Sequence, residues 1–93
     1  METKKFYKFT QNNSGGEFVV NEFLNVYVFV EADSADEANE RAMKFGVYFN
    51  GVERGIDCEC YGDRWYSVCE LNVVYKCEIY RYPSNRVSVL LKV

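Results

Sequence analysis

Four cysteines, Cys58, Cys60, Cys69 and Cys77, fall within twenty residues of a 93-residue chain, in the stretch GIDCECYGDRWYSVCELNVVYKCEI. A chain this short has a small core, so a staple over residues 58–77 would govern how that region folds. Four thiolates can close a tetrahedral cage around a zinc ion, or they can pair as two disulfides. The two outcomes demand different surroundings, so the compartment has to be read next.

The N-terminus METKKFYKFTQNN holds basic residues but no apolar run of signal-peptide length, and no segment approaches the roughly 18 apolar residues of a membrane span. The expectation is a chain that stays in the cytoplasm, where thiols are kept reduced and a cysteine cluster favours metal over disulfides. The spacing C-x-C-x8-C-x7-C departs from the paired C-x2-C signature. Residues i and i+2 of an extended segment point to one side, so Cys58 and Cys60 can grip an ion while Cys69 and Cys77 close the tetrahedron. With no histidine in the chain, the cage is all sulfur or is completed by Asp57, Glu59 or Asp63. Four thiolates fill the coordination sphere, so the expected zinc is structural and not catalytic.

Eleven Lys and Arg against fourteen Asp and Glu leave a net charge of -3, the wrong sign for affinity built on phosphate neutralisation. Direct nucleic-acid binding is disfavoured. Absence of histidine removes the commonest general base and the usual Ser-His and Cys-His pairs, and no phosphate-cradling glycine motif occurs. An enzyme is not expected.

At 48% hydrophobic and 17% aromatic residues, the chain has the means to bury a core in one domain over residues 1–93. Lys4 to Phe9 alternates as a first strand, QNNSGG from Gln11 to Gly16 is a loop or hairpin tip, and a second strand is expected after it. Asn25 to Val30 is a continuous β-branched and aromatic run, as in a central strand. Ser34 and Glu37 form a capping-box pattern before a helix from about Ala35 to Phe45, with Ala35, Ala38, Ala42 and Phe45 on one face and Gly46 placed to end it. Val47 to Phe49 reads as a short strand before the Asn50-Gly51 turn. Asn72 to Tyr82 and Arg86 to Val93 alternate as two strands about a turn at Pro83-Ser84-Asn85, with Val73, Tyr75, Cys77 and Ile79 on one face of the first and Val87, Val89, Leu91 and Val93 on one face of the second. Cys77 on that apolar face has a second reading, as a core residue. The expected fold is α+β, a single domain with an antiparallel sheet, one helix packed on it and a cysteine-rich zinc loop.

Residues 31 to 40 hold five acids, Glu31, Asp33, Asp36, Glu37 and Glu40, and no base. They form either a solvated face with acids favourably near a helix N-terminus, or a patch that meets a basic partner. Asp63, Arg64, Trp65 and Tyr66 make a second candidate partner surface, since Trp and Tyr are enriched at hot spots, although a Trp in a small domain also serves as core.

METKKFYKFTQNNSGG at 1–16 and NGVERGIDCECYGDRWYSV at 50–68, joined by the segment EADSADEANERAMKFGVYF, resemble a family of small bacteriophage proteins with a GIDCxCxGDRW block. Members of that family often carry a third cysteine where this chain has Tyr61. The chain is also similar in size and character to the type II-A anti-CRISPR proteins that bind Cas9. What these resemblances imply is a phage-encoded inhibitor of host defence that docks on Cas9 in the host cytoplasm and blocks target DNA engagement, its acids facing a basic channel. The alternatives are a phage accessory protein that binds another host protein, and an anti-defence protein that sequesters a nucleotide signal through an aromatic pocket with Arg54, Arg64 or Arg81 on phosphate.

Overall fold

The structure is a computed structural model and describes residues 4–92. Strand β1 spans Phe6–Thr10 and β2 spans Tyr27–Glu31; they pair antiparallel, Phe6 opposite Glu31 and Thr10 opposite Tyr27. Helix α1 follows at Ala35–Lys44. The two-residue strand β3, Val73–Val74, joins the other edge of β1, and the one-turn helix α2, Lys76–Ile79, comes directly after it. Strand β4, Val87–Leu90, closes the sheet beside β2, in the order β3-β1-β2-β4.

Alternation along the strands builds two layers of core. Tyr7 and Phe9 of β1, Val28 and Val30 of β2 and Leu90 of β4 point to the face that α1 covers with Ala35, Ala38 and Ala42. Alanine has no side chain beyond Cβ, so the helix can sit close against the sheet, and Trp65 and Val68 fill the space beside it. The other face carries Phe6 and Phe29, covered by Ile79 of α2 and by Tyr82, whose ring lies 4.8 Å from Tyr27 and 5.2 Å from Phe29.

Ser34 caps α1 by accepting from the Glu37 N–H at 3.2 Å, as its sequence pattern implies. Glu37 reaches back to the Asp33 N–H, one residue before the cap, at 2.8 Å. Gly46 ends the turn after the helix with φ 115°, in the region glycine enters without cost.

Four expectations are corrected. The sheet is mixed, because β4 runs parallel to β2, Tyr27 beside Val87 and Val30 beside Leu90. The connection from Glu31 to Val87 is long enough to return the chain to the same end, which a hairpin cannot do. No separate strand forms between the QNNSGG loop and β2: the Gln11 side chain donates to Val19 O and accepts from Val19 N, and Asn21 Oδ1 accepts from Phe23 and Leu24. These side chains take the backbone groups a strand ladder would use. Val47 to Phe49 is irregular, and the Asn50-Gly51 turn widens because Asn50 O accepts from Arg54 and Gly51 O from Ile56 and Asp57.

The fourth is the stretch Asn72 to Tyr82, whose alternation becomes two strand residues and one helical turn. Val73 and Val74 pair antiparallel with Tyr7 and Phe6, β1 begins at Phe6 and so offers no partner to Tyr75, and folding the chain over brings Ile79 and Tyr82 onto the aromatic pair Phe6 and Phe29. On β4 it is Leu90 that is buried, while Val89 and Leu91 are 42% and 54% exposed. Val93, expected on their face, lies outside the described residues.

Candidate functional site

The cysteine loop is built on a frame of polar side chains that binds it to the QNNSGG loop. Asp57 sits at the base, its Oδ1 accepting from the Tyr48 hydroxyl at 2.7 Å and its Oδ2 from the Arg64 N–H at 2.8 Å. Burial, then the bond to Asp57, raises the Tyr48 phenol above its ordinary value, so it stays a donor. Asp63 Oδ1 accepts from Val52 N at 2.8 Å, which closes the other side. From the first loop, Asn12 Nδ2 donates to Tyr61 O and to Asp63 O.

Arg64 spends its fork on the same contact. Its guanidinium donates to Gln11 Oε1 at 2.8 Å, Glu17 O at 2.7 Å and Ser14 O at 2.6 Å. The QNNSGG loop and the GDRW stretch therefore hold each other. Gln11 and Asn12, read as loop residues in the sequence, are structural partners of a segment some fifty positions away.

On this frame Cys58 to Tyr61 forms a tight turn, with Cys58 O accepting from Tyr61 N and Gly62 N at 3.1 Å. The turn brings the sulfurs of Cys58 and Cys60 together as a disulfide. The expectation that Cys58 and Cys60 point to one side and grip an ion rested on an extended Cys58-Glu59-Cys60; the turn replaces that geometry. Cys69 and Cys77 are both exposed thiols, Cys69 ahead of the 3-10 turn Glu70–Asn72 and Cys77 on α2. Cys77 is thus not on a strand face and not in the core. Among the described residues no three Cys, Asp or Glu side chains come together in a group that could hold a metal ion. A disulfide across so short a loop removes little unfolded-state entropy, about 1.6 kcal/mol by chain-entropy reasoning.

The second expected surface is divided. Trp65 is 1% exposed and belongs to the core, so it cannot anchor a partner, and Arg64 and Asp63 serve the frame. Tyr66 alone of the four presents its side chain, at 58% exposure.

The acidic segment divides as well. Lys92 Nζ lies 2.9 Å from Asp33 and 2.8 Å from Glu37, and Lys92 N donates to Glu31 Oε1. The Lys92 ammonium holds both carboxyls below their ordinary values, and they in turn raise its own. Arg41 donates to Glu31 O and Leu91 O, completing the tie between β2, α1 and the end of β4. Asp36 and Glu40 are exposed and make no ion pair among the described residues.

One site was not anticipated. The Tyr7 hydroxyl, fully buried, donates to Glu70 Oε1 at 2.6 Å, while Glu70 Oε2 accepts from Ala35 N at 2.8 Å. One carboxylate thus joins β1, the first turn of α1 and the segment after the cysteine loop. Desolvation and this bond push the Tyr7 phenol up to about 12, and the Tyr7 hydroxyl, with the Ala35 N–H, holds Glu70 low. No periodicity marks Glu70, which is why the sequence did not disclose it.

Outside these clusters, Phe6, Ile79, Tyr80, Val89 and Leu91 wall a groove between α2 and the edge strand β4, with Lys4 and Lys76 at its rim. Among the described residues, no helix is long and apolar enough to cross a membrane.

Residues 4–89 match the family described as a domain of unknown function, DUF7296, and the chain belongs to that family. No curated protein and no solved structure matches it.

Proposed function

We propose, with membership in that family as the premise, that this protein acts by occupying the surface of a partner protein and not by turnover. The observation that carries the reading is the groove beside β4: Tyr80 is 76%, Leu91 54% and Val89 42% exposed, next to the open edge of a parallel strand. Large apolar and aromatic side chains grouped at a sheet edge favour protein association, through added backbone pairing and buried area together. The partner we name is Cas9 in a bacterial host, with the chain as a phage-encoded inhibitor. The resemblance to small phage proteins and to Cas9 inhibitors supports that choice, and the outward acids Asp36 and Glu40 suit a basic channel.

Purified protein in stoichiometric excess over guide-loaded Cas9 should be retained in a pull-down and should reduce target cleavage and guide-dependent DNA binding. Failure of all three removes Cas9 as the partner. The zinc clamp belongs to the same proposal and concerns the reduced chain, in which Cys58 and Cys60 are thiolates able to ligate and further ligands must be brought to them. Mass-spectrometric metal analysis of protein purified under reducing conditions tests it: one zinc per chain supports the clamp, and a zinc-free folded protein removes it.

A further inference from the structure

We propose that Cys58 and Cys60 form a reversible redox couple that exchanges disulfide with a dithiol of a basic protein or peptide, in which Cys60 Sγ is the sulfur attacked. Three features converge on the pair. Both cysteines are exposed, so an incoming thiolate reaches the bond without opening the core. The frame beneath them does not use the sulfurs: Asp57 is held by Tyr48 and Arg64, Asp63 by Val52, and Tyr61 O by Asn12. Oxidised and reduced chains therefore share one scaffold, which is what a reversible couple requires and a structural staple does not. The third feature is direction. The Cys60 N–H lies 3.4 Å from Cys58 Sγ, the donor that would stabilise a thiolate on Cys58.

The exchange follows from that asymmetry. A thiolate of the partner attacks Cys60 Sγ; the Cys58–Cys60 bond breaks, and Cys58 leaves as a thiolate that takes a proton from water. The partner's second thiolate then attacks its own sulfur in the mixed disulfide and expels Cys60. Two electrons and two protons pass to the chain, and the partner leaves oxidised. The charge around the loop selects the partner. Glu59 stands between the cysteines, and over residues 53–64 the acids Glu53, Asp57, Glu59 and Asp63 outnumber Arg54 and Arg64, so a basic dithiol is drawn in and an acidic thiol such as glutathione is repelled.

The test uses the full oxidised chain carrying C69S and C77S, which silence the two exposed thiols on other elements. It is mixed at low salt with reduced Cys-x-x-Cys peptides flanked by Lys or by Glu, alkylated at intervals and weighed. The expected result is uptake of two labels by the protein as the peptide loses two hydrogens, about tenfold faster for the basic peptide, with the difference collapsing at high salt. Near-UV circular dichroism should stay unchanged, and a monothiol probe should give an adduct that maps to Cys60. Exchange only in denaturant, or exchange that abolishes the near-UV signal, would make the bond a structural staple and overturn the proposal. An adduct on Cys58 would overturn the assigned direction, and equal rates for the two peptides would overturn the basic partner.

Discussion

Trp65 illustrates how a single residue can be legible in kind and misplaced in role. Its size made it a candidate partner anchor and equally a candidate core residue, and it is among the most buried large side chains, in one cluster with Tyr7, Phe9 and Val68. Trp65→Ala should cost about 3–5 kcal/mol, enough to unfold a domain of this size or leave it marginal, as read by denaturant titration. Folded protein should show blue-shifted Trp emission, since the chain has one Trp and it is dry. Arg64 is the complementary case. Its three acceptors lie on Gln11, Ser14 and Glu17, and lysine keeps the charge but lacks the fork. Arg64→Lys should lose about 1–3 kcal/mol, and amide exchange should accelerate over 14–19 before it does in β1 or β2. A melt and an exchange profile matching the parent would show that the guanidinium contacts carry no weight.

At the scale of elements, periodicity was readable wherever one element owned its hydrogen bonds. β1, β2 and α1 announce themselves through alternation, β-branched runs and a cap, all of which are local. The failures lie where side chains take over the backbone's hydrogen bonds, within a turn as Asn21 does over Leu24, or from several residues away as Gln11 does over Val19 and Asp63 over Val52. Asn72 to Tyr82 fails for another reason: its alternation is real, but its pairing partner β1 runs out at Phe6, opposite Val74. Gly51 tests the cysteine loop as an element. A Cβ there would collide with the Asp57 carboxylate and press on the Tyr48 ring at 2.9 Å, with no left-handed φ involved. Gly51→Ala should therefore destabilise by about 1–3 kcal/mol through overpacking and a displaced Asp57. Gly55→Ala, with open space around its Cβ, carries only the strain of φ 76° and should cost less. Thermal melts of the pair check the order.

For the whole molecule, charge is what ties function to stability. Asp33, Glu37 and Glu70 all titrate below their ordinary 3.8 and 4.5 in the folded chain. Depressed carboxylates stabilise above their unfolded values, and that stabilisation is lost as pH falls through the lowered folded values. The melting temperature should thus drop on an acid limb. Lys92→Met should flatten the part due to Asp33 and Glu37 and leave the part due to Glu70. On the alkaline side Tyr7 acts in the opposite sense, stabilising below 10 and losing that contribution as pH climbs toward about 12.

The same division sharpens the test of the acidic surface. Reversing all five acids at once would confound binding with folding, because Glu31, Asp33 and Glu37 anchor the chain's last described residue to α1 and β2. Asp36→Lys with Glu40→Lys touches neither Lys92 nor the core. This double variant should melt near the parent temperature and, if the acids face a basic partner, bind it more weakly by an amount that shrinks as salt rises. Asp33→Lys with Glu37→Lys should lower the melting temperature whether or not the partner is present. A first variant that binds as the parent does would move the interface off α1 and onto the groove at β4, where Tyr80→Ala is then the substitution that should weaken it.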